Sequence, residues 1–172
     1  MKKIFICIDL KSFFASCECS KRNLDPFTTN LVVADKTRGE NALCLAITPA
    51  MKKLGIKNRC RTKDIPGDIS YIIVKPRMKM YMEYSAKIYG IYLRYVSSKD
   101  VHVYSIDECF IDITSYLKYY KKKPKEFAEM LISAVFEETG ITATVGIGTN
   151  LYLAKIAMDI IAKHVDDNIG ML

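Results

Sequence analysis

The spacing of hydrophobic and polar positions predicts a fold that mixes short strands with amphipathic helices. The apolar run from Ile4 to Ile8 stops at Asp9, and its β-branched and aromatic composition predicts a strand buried on both faces. Similar short runs predict further strands at residues 31–34, 42–47, 71–74, 101–105, 109–113 and 142–148. Helical spacing predicts helices over residues 12–20, 48–55, 77–96, 124–140 and after Thr149 or Asn150, the last with an apolar face of Leu153, Ile156, Ala157, Ile160 and Ile161.

The predicted helix 77–96 carries a stripe of tyrosines. Apolar and aromatic residues recur three or four positions apart, so one helix face holds Tyr81, Tyr84, Ile88, Tyr92 and Tyr95. Such a stripe could stack on nucleic-acid bases. Helical spacing nevertheless favours a face buried in a core or between domains.

The order of elements predicts an α+β fold. Without residues 12–75 the chain runs strand, helix, strand, strand, helix, strand, helix, which fits a ferredoxin-like sheet of four antiparallel strands backed by helices. Residues 12–75 then form a small α/β insertion after the first strand. Within the insertion, strands flank a turn-rich loop, Ser12 is placed to cap the first helix, and Thr48-Pro49 begins a short helix that ends at Gly55.

Length and composition describe an ordinary globular chain. It has 172 residues, of which 50% are hydrophobic and 26% charged. The longest apolar run, at residues 42–47, has six residues, against the ~20 that a transmembrane helix needs. No stretch resembles a secretory signal, so we expect a cytoplasmic protein without a membrane association.

Positive charge is the first indication of a ligand. The net charge is +7, and residues 51–63 contain six cations and no acid. Further cations cluster at residues 75–79 and 118–125, although the second cluster is equally consistent with a solvated surface. Basic patches suit a polyanion such as nucleic acid or nucleotide phosphate. The six cysteines include no C-x-x-C pair and there are only two histidines, so the sequence does not favour a zinc site or a disulfide framework.

Three carboxylates fit a magnesium site. Asp9 ends the first strand, and Asp107 with Glu108 connects two apolar strands. If the first strand lies beside that hairpin, all three meet at one edge of the sheet. Two charges ~4 Å apart repel by about 4 kcal/mol at an effective dielectric near ~20, and a divalent cation with oxygen ligands offsets that repulsion. Taken singly, an Asp-Glu turn is usually just solvated and an aspartate after a strand is often a helix cap.

Three motifs together resemble the Y-family translesion DNA polymerases, nearest the UmuC-type branch. They are IDLKSFFASCE at residues 8–18, YSIDECFID at 104–112 and VGIGTNLYLAKIA at 145–157. They occur in the family's order and span nearly the whole chain. The resemblance implies a palm formed by residues 1–11 and 76–166, a fingers insertion at 12–75 and a truncated tail at 167–172.

The resemblance also implies roles for the motif residues. Asp9, Asp107 and Glu108, with the Leu10 carbonyl, would bind two Mg²⁺ ions and form the catalytic centre. Phe13 and Phe14 would contact the nucleotide, and Phe14 would be the steric gate that excludes a ribose 2′-hydroxyl.

Lys155, Thr48 and Lys52 would contact the triphosphate. Many family members carry a tyrosine and an arginine three residues apart in the fingers. Here Pro49 and Lys52 stand in those places, so the charge is kept without the bidentate fork of an arginine.

The implied activity is template-directed, error-prone DNA synthesis on primer-template DNA from deoxynucleoside triphosphates. The family's thumb and little-finger domains have no counterpart after residue 166. We therefore expect a palm-and-fingers fragment that is inactive or weakly active, with a sliding clamp or SOS accessory subunit contacted through the missing domains. Two alternatives remain open: a palm-type nucleotide cyclase of the diguanylate kind, and a non-catalytic palm remnant that binds DNA or a partner.

Overall fold

Two β-sheets and six helices organise the chain, and the computed structural model describes all residues from Met1 to Leu172. The strands are β1 Phe5–Leu10, β2 Leu31–Val33, β3 Ala46–Ile47, β4 Ile72–Val74, β5 Val101–Ser105, β6 Glu108–Asp112, β7 Ala143–Gly148 and β8 Ile169–Met171. The helices are α1 Phe13–Lys21, α2 Pro49–Lys53, α3 Met78–Tyr92, α4 Thr114–Tyr120, α5 Pro124–Thr139 and α6 Leu151–Ile156. None of these helices combines the length and the apolar character needed to span a bilayer.

The chain divides into two compact units. The first unit comprises Met1–Leu10, Ser85–Glu138 and Thr142–Leu172, and the second comprises Lys11–Tyr84 with Thr139–Ile141. Residues 76–84, which we assigned to the palm, thus belong to the second unit. The roles of palm and fingers remain predictions.

The first unit is built on a five-stranded sheet in the order β5-β6-β1-β7-β8. Strand β1 lies between β6 and β7 and is antiparallel to both, and β5 is antiparallel to β6. These four strands have the ferredoxin-like arrangement that the element order predicts. The prediction that the first strand lies beside the carboxylate hairpin is confirmed.

Two glycines in β7 allow α6 to lie directly on the sheet. A Cβ atom on Gly146 would come within 2.0 Å of the Ala154 carbonyl oxygen, and one on Gly148 within 2.5 Å of the Ala154 nitrogen. Ala154 and Met158 pack with Cys7 and Phe110 in one buried cluster. The close approach therefore fixes the segment that carries Lys155 against β1 and β7.

The end of the chain differs from the prediction. Within residues 167–172, which we predicted as a truncated tail, Ile169–Met171 forms β8, which pairs in parallel with β7. The last helix changes to π-helical winding over Ala157–Ile161 and then to a 3₁₀ turn. A π-helix has more residues per turn than an α-helix, so the predicted apolar face does not persist, and Ile160 is 63% exposed.

The second unit contains a three-stranded sheet in the order β3-β2-β4, with β2 antiparallel to β3 and parallel to β4. The predicted hairpin is present, with a 3₁₀ segment at Lys36–Asn41 between its strands. Thr48 caps α2 and Pro49 occupies its first turn, as predicted. Ser12, by contrast, adopts a left-handed conformation with φ of 46° and makes no capping hydrogen bond to α1, so that prediction is wrong.

The tyrosine stripe of α3 is mainly a core face. Tyr81, Ile88 and Tyr92 are at most 4% exposed. Buried rings cannot stack on nucleic-acid bases, so the packing interpretation is correct for these three residues.

Candidate metal and nucleotide site

The first unit brings the three predicted carboxylates to one end of its sheet. Asp9, at the end of β1, lies opposite Glu108, at the start of β6. The Leu10 backbone N–H donates a hydrogen bond of 2.9 Å to the Asp107 carbonyl oxygen and joins β1 to the turn of the hairpin. The convergence follows from the register, since β1 pairs with β6 along its whole length up to Asp9.

We call the end of the sheet that carries Asp9, Asp107 and Glu108 the acidic end. The ionised form of Asp9 is electrostatically unfavourable there. Burial raises the pKa of Asp9 to about 6, and the charges of Asp107 and Glu108 act in the same direction. The three side chains are not gathered into a group that could hold a metal ion as they stand.

Glu108 forms an ion pair with Lys155, in which the Lys155 ammonium contacts Oε1. The same oxygen accepts a hydrogen bond of 3.4 Å from the Cys7 thiol. The Lys155 nitrogen also lies 3.4 Å from Asp159 Oδ2 and 5.8 Å from the centre of the Tyr104 ring. Although burial alone would lower it, the pKa of Lys155 is raised by the hydrogen bond and the charge of Glu108. Lys155 is therefore a cation held at the acidic end of the sheet.

Two contacts at this end were not foreseen from the sequence. Cys7 is fully buried on β1, and its thiol donates a hydrogen bond to Glu108. Strand alternation offered a signal, because Cys7 and Asp9 are two residues apart and share a face of β1. Ser105 donates a hydrogen bond of 3.0 Å to Asp107 Oδ1, which orients that carboxylate.

A pocket adjoins Asp107 and Glu108 within the first unit. It is lined on one side by α3 through Ser85, Tyr89 and Tyr92, among others, and on the other by β5 and β6. The Ser85 hydroxyl donates a hydrogen bond of 2.6 Å to the carbonyl oxygen of Ile106. Helix α3 therefore supports the hairpin turn that carries both carboxylates.

The predicted gate residue lies in the second unit. Phe14 is half-buried on α1, and its ring stacks on Tyr81 with a centroid distance of 4.6 Å and an interplanar angle of 15°. Phe13 is only 3% exposed and belongs to the core. The structure therefore offers one partly exposed aromatic edge, on Phe14, and no exposed ring on Phe13.

A buried carboxylate fixes the helix that carries Phe14. Glu18 on α1 has no exposed surface and accepts hydrogen bonds from Arg22, Arg77 and the Tyr81 hydroxyl. Burial would raise its pKa, but the hydrogen bonds from Arg77, Arg22 and Tyr81 lower it below the ordinary value. Tyr81 thus both supports the Phe14 ring and binds Glu18.

The two predicted phosphate ligands of α2 have different surroundings. Thr48 is fully buried, and its hydroxyl donates a hydrogen bond to the Thr29 carbonyl while accepting hydrogen bonds from the backbone N–H groups of Leu31 and Met51. Lys52 is exposed on α2. All hydrogen bonds of the Thr48 hydroxyl are made inside the protein. The predicted contact of Thr48 with phosphate therefore does not fit this geometry and is corrected. Of the two residues, Lys52 is the one exposed to a ligand.

A mainly antiparallel sheet packed against helices, with carboxylates at the end of its central strands, defines an α+β fold of the ferredoxin-like kind. Residues 8–159 match the impB/mucB/samB family, and the chain belongs to that family. The resemblance to Y-family polymerases is thereby confirmed.

The chain is similar over nearly its whole length to parts of longer proteins. It is 38% identical to UvrX of Bacillus subtilis (strain 168) over 170 residues, which are 98% of this chain and 39% of UvrX. It is 33% identical over 174 residues to DNA polymerase IV 2 of the same strain, covering 99% of this chain and 41% of that protein. The crystal structure of DinB from Sulfolobus solfataricus superposes with a TM-score of 0.77 at 26% identity, covering 98% of this chain and 48% of DinB. The chain therefore spans about two fifths of the length of these curated relatives.

Proposed function

We propose that the chain is the nucleotidyl-transfer part of a template-directed DNA polymerase of the lesion-bypass type. The observation that carries this proposal is the convergence of Asp9, Asp107 and Glu108 at the end of the sheet. Membership of the impB/mucB/samB family supports it, because one relative is named DNA polymerase IV 2. The substrates are the primer 3′-hydroxyl and a deoxynucleoside triphosphate, paired on a template.

The donor set suits two Mg²⁺ ions. Asp9, Asp107 and Glu108 supply carboxylate oxygens and Leu10 a backbone carbonyl, which are the ligand types that this cation prefers. The bound ions supply charge stabilisation for the attacking and leaving oxygens of an in-line phosphoryl displacement. Ser105 orients Asp107 through its hydrogen bond. Lys155 supplies a positive charge to the triphosphate. Without a bound triphosphate, Lys155 pairs with Glu108.

Sugar selection falls to Phe14 in this proposal. Its ring is held flat against Tyr81, and a fixed aromatic edge leaves no room for a 2′-hydroxyl. Lys52 supplies a further phosphate contact from α2. Phe13 contributes to the position of α1 as a core residue and approaches the nucleotide only through its backbone.

The remaining partners follow from the activity. Primer-template DNA is bound mainly through its phosphates, which suits the basic character of the chain. We propose a sliding clamp or an SOS accessory subunit as a further partner. We place the protein in the cytoplasm, where DNA and deoxynucleotides are found.

Metal binding by the chain itself tests the site. We expect the wild-type chain to bind Mn²⁺, used as a paramagnetic substitute for Mg²⁺, in the presence of a non-hydrolysable deoxynucleoside triphosphate. Electron paramagnetic resonance measures the free ion. Asp9→Asn should weaken binding at least ~10-fold, because it removes a charged oxygen ligand.

Asp167→Asn is the matched control. Asp167 pairs with Lys125 on the surface and makes no contact with the acidic end, so this change should leave Mn²⁺ affinity unaltered. Equal affinities for the wild-type chain and Asp9→Asn would refute the metal assignment.

Primer extension by the whole polymerase tests the gate. Phe14→Ala should raise incorporation of ribonucleotides relative to deoxynucleotides, because space opens beside the sugar. The ratio of the two kcat/KM values measures this selectivity. An unchanged ratio in a variant that still extends primers would remove Phe14 as the gate.

A further inference from the structure

Two cysteines of the second unit face each other across neighbouring antiparallel segments. The Cys44 backbone N–H donates a hydrogen bond of 2.8 Å to the Cys60 carbonyl oxygen. The adjoining residues Leu43 and Arg61 form an antiparallel bridge. The Cys60 N–H bonds instead to the Lys57 carbonyl oxygen, so the two cysteines share a single backbone hydrogen bond. Opposed residues of antiparallel segments have Cα atoms ~4.5–5.5 Å apart, which lies inside the ~4.4–6.8 Å range of disulfides.

The two side chains also belong to one hydrophobic cluster, with Cys44 in its buried centre and Cys60 packed against it. The neighbouring Cys60 side chain contributes to the raised pKa of the Cys44 thiol. The chain contains four other cysteines, all buried: Cys7, Cys17, Cys19 and Cys109. Cys17 and Cys19 are two residues apart on α1 and so do not face each other, and Cys7 contacts Glu108.

We propose that Cys44 and Cys60 form a reversible disulfide and are a thiol-oxidation site of this protein. Both thiols are free in the structure. The two segments already lie opposite each other and their cysteines share one cluster, so distant parts of the chain need not be brought together for the bond to form.

The two thiols differ in their exposure to solvent, and this difference determines which of them reacts first with an oxidant. Cys44 is fully buried, whereas Cys60 is only partly buried. Burial raises the pKa of Cys44 to about 12, and the neighbouring Cys60 side chain acts in the same direction. Cys60 is therefore the thiol that meets the oxidant first, since the thiolate is the attacking form.

The reaction balances with a low-molecular-weight disulfide as the oxidant. The Cys60 thiolate attacks one sulfur of oxidised glutathione, forms a mixed disulfide and releases one glutathione thiolate. Cys44 then loses its proton and attacks the Cys60 sulfur, which releases the second glutathione. The protein dithiol is oxidised by two electrons, and one oxidised glutathione is reduced to two glutathione molecules.

The bond would close the segment between residues 44 and 60. That segment contains β3, α2 and the exposed Lys52. Oxidation would tie its two ends together at their base. It thereby restricts opening of the part of the second unit that carries most of the basic residues at 51–63.

Mass spectrometry of the 172-residue chain tests the proposal. After incubation with oxidised glutathione and alkylation of the remaining thiols, we expect a monomer that lacks two hydrogens at Cys44 and Cys60 and carries four alkyl groups. Trypsin, which cleaves after Lys52, Lys53, Lys57 and Arg59, should leave peptides of Cys44 and Cys60 that stay linked until dithiothreitol is added. Cys60→Ser should abolish the linked peptides, and the half-exposed position makes this change compatible with folding.

Other products would overturn the inference. A glutathione adduct that persists on Cys60, a disulfide between other cysteines, or linkage only between two chains would each show that the pair does not close. Full alkylation of all six thiols after oxidation would have the same meaning. The peptide map of the wild-type chain decides the matter even if the serine variant does not fold.

Discussion

Replacement of Glu18 by glutamine should destabilise the second unit strongly. The side chain is fully buried, and both carboxylate oxygens accept hydrogen bonds from donors. Oε1 accepts from Arg77 Nε at 3.0 Å and from the Tyr81 hydroxyl at 2.8 Å. Oε2 accepts from Arg22 and from the second nitrogen of the Arg77 fork. A glutamine has the same shape but must place an NH₂ group against donors, whichever way its amide is turned.

The size of the loss in the free energy of unfolding depends on how well water can solvate Arg22 and Arg77 once the carboxylate is gone. Removal of one member of a buried ion pair costs about 3–5 kcal/mol, because the other charge is left without a partner. The side chains of Arg22 and Arg77 are 35% and 44% exposed, so both regain water. We therefore expect the lower end, about 3 kcal/mol, which corresponds to a fall in melting temperature of roughly 6–12 °C for a chain of this size.

Thermal and urea unfolding followed by circular dichroism measure the loss. Glu138→Gln is the matched control, because Glu138 makes the same kind of bidentate contact with Arg94 on the surface. Exposed pairs of this type contribute little to stability, so the control should unfold with the wild-type protein. The reasoning fails if Glu18→Gln unfolds within error of wild type, or if both variants lose stability equally.

Three further predictions concern stability. The folded pKa of Glu18 lies below its ordinary value of 4.5, so the ionised carboxylate stabilises the fold above that pH and this contribution is lost as the pH falls through the folded pKa. Wild type should therefore lose stability between about pH 5 and pH 3 more steeply than Glu18→Gln in urea titrations, and parallel curves would contradict the linkage. Gly146→Ala should cost at least ~3 kcal/mol, because its Cβ would overlap the backbone of α6. Gly90→Ala, in a helix with nothing within 4 Å of the new atom, should instead raise the melting temperature, with a gain of ~0.5–1 kcal/mol.

The strands and the longer helices were predictable because their signals are local. Short apolar runs of β-branched composition identified β1 and β7, and the Thr48-Pro49 pair identified the start of α2. Strand β8 was missed because Ile169–Met171 is too short to show a period. Its pairing depends on Gly170, which approaches the Ala157 carbonyl oxygen so closely that a Cβ would lie at 2.4 Å. Contacts of that kind connect distant residues and leave no local pattern.

Some features of the candidate site were likewise predictable from the sequence, whereas others depend on contacts between distant residues. The sequence named Asp9, Asp107 and Glu108, and the pairing of β1 with β6 brought them together. It could not show that the Thr48 hydroxyl is used up by backbone groups, because that depends on the fold of residues 29–31 around it. Nor could it show that the Cys7 thiol faces Glu108.

Glu18 and Asp9 have opposite electrostatic surroundings, and their pKa values change in opposite directions. Glu18 is surrounded by cations and a hydroxyl of its own unit, and its pKa falls below the ordinary value. Asp9 has two carboxylates as its strongest neighbours, and its pKa rises to about 6. Lys155 compensates only part of that charge, since it pairs with Glu108 and Asp159. Because Glu18 is matched by arginines whereas Asp9 lies beside two further carboxylates, the proposal that Asp9, Asp107 and Glu108 bind a cation is supported by the charge balance as well as by the strand register.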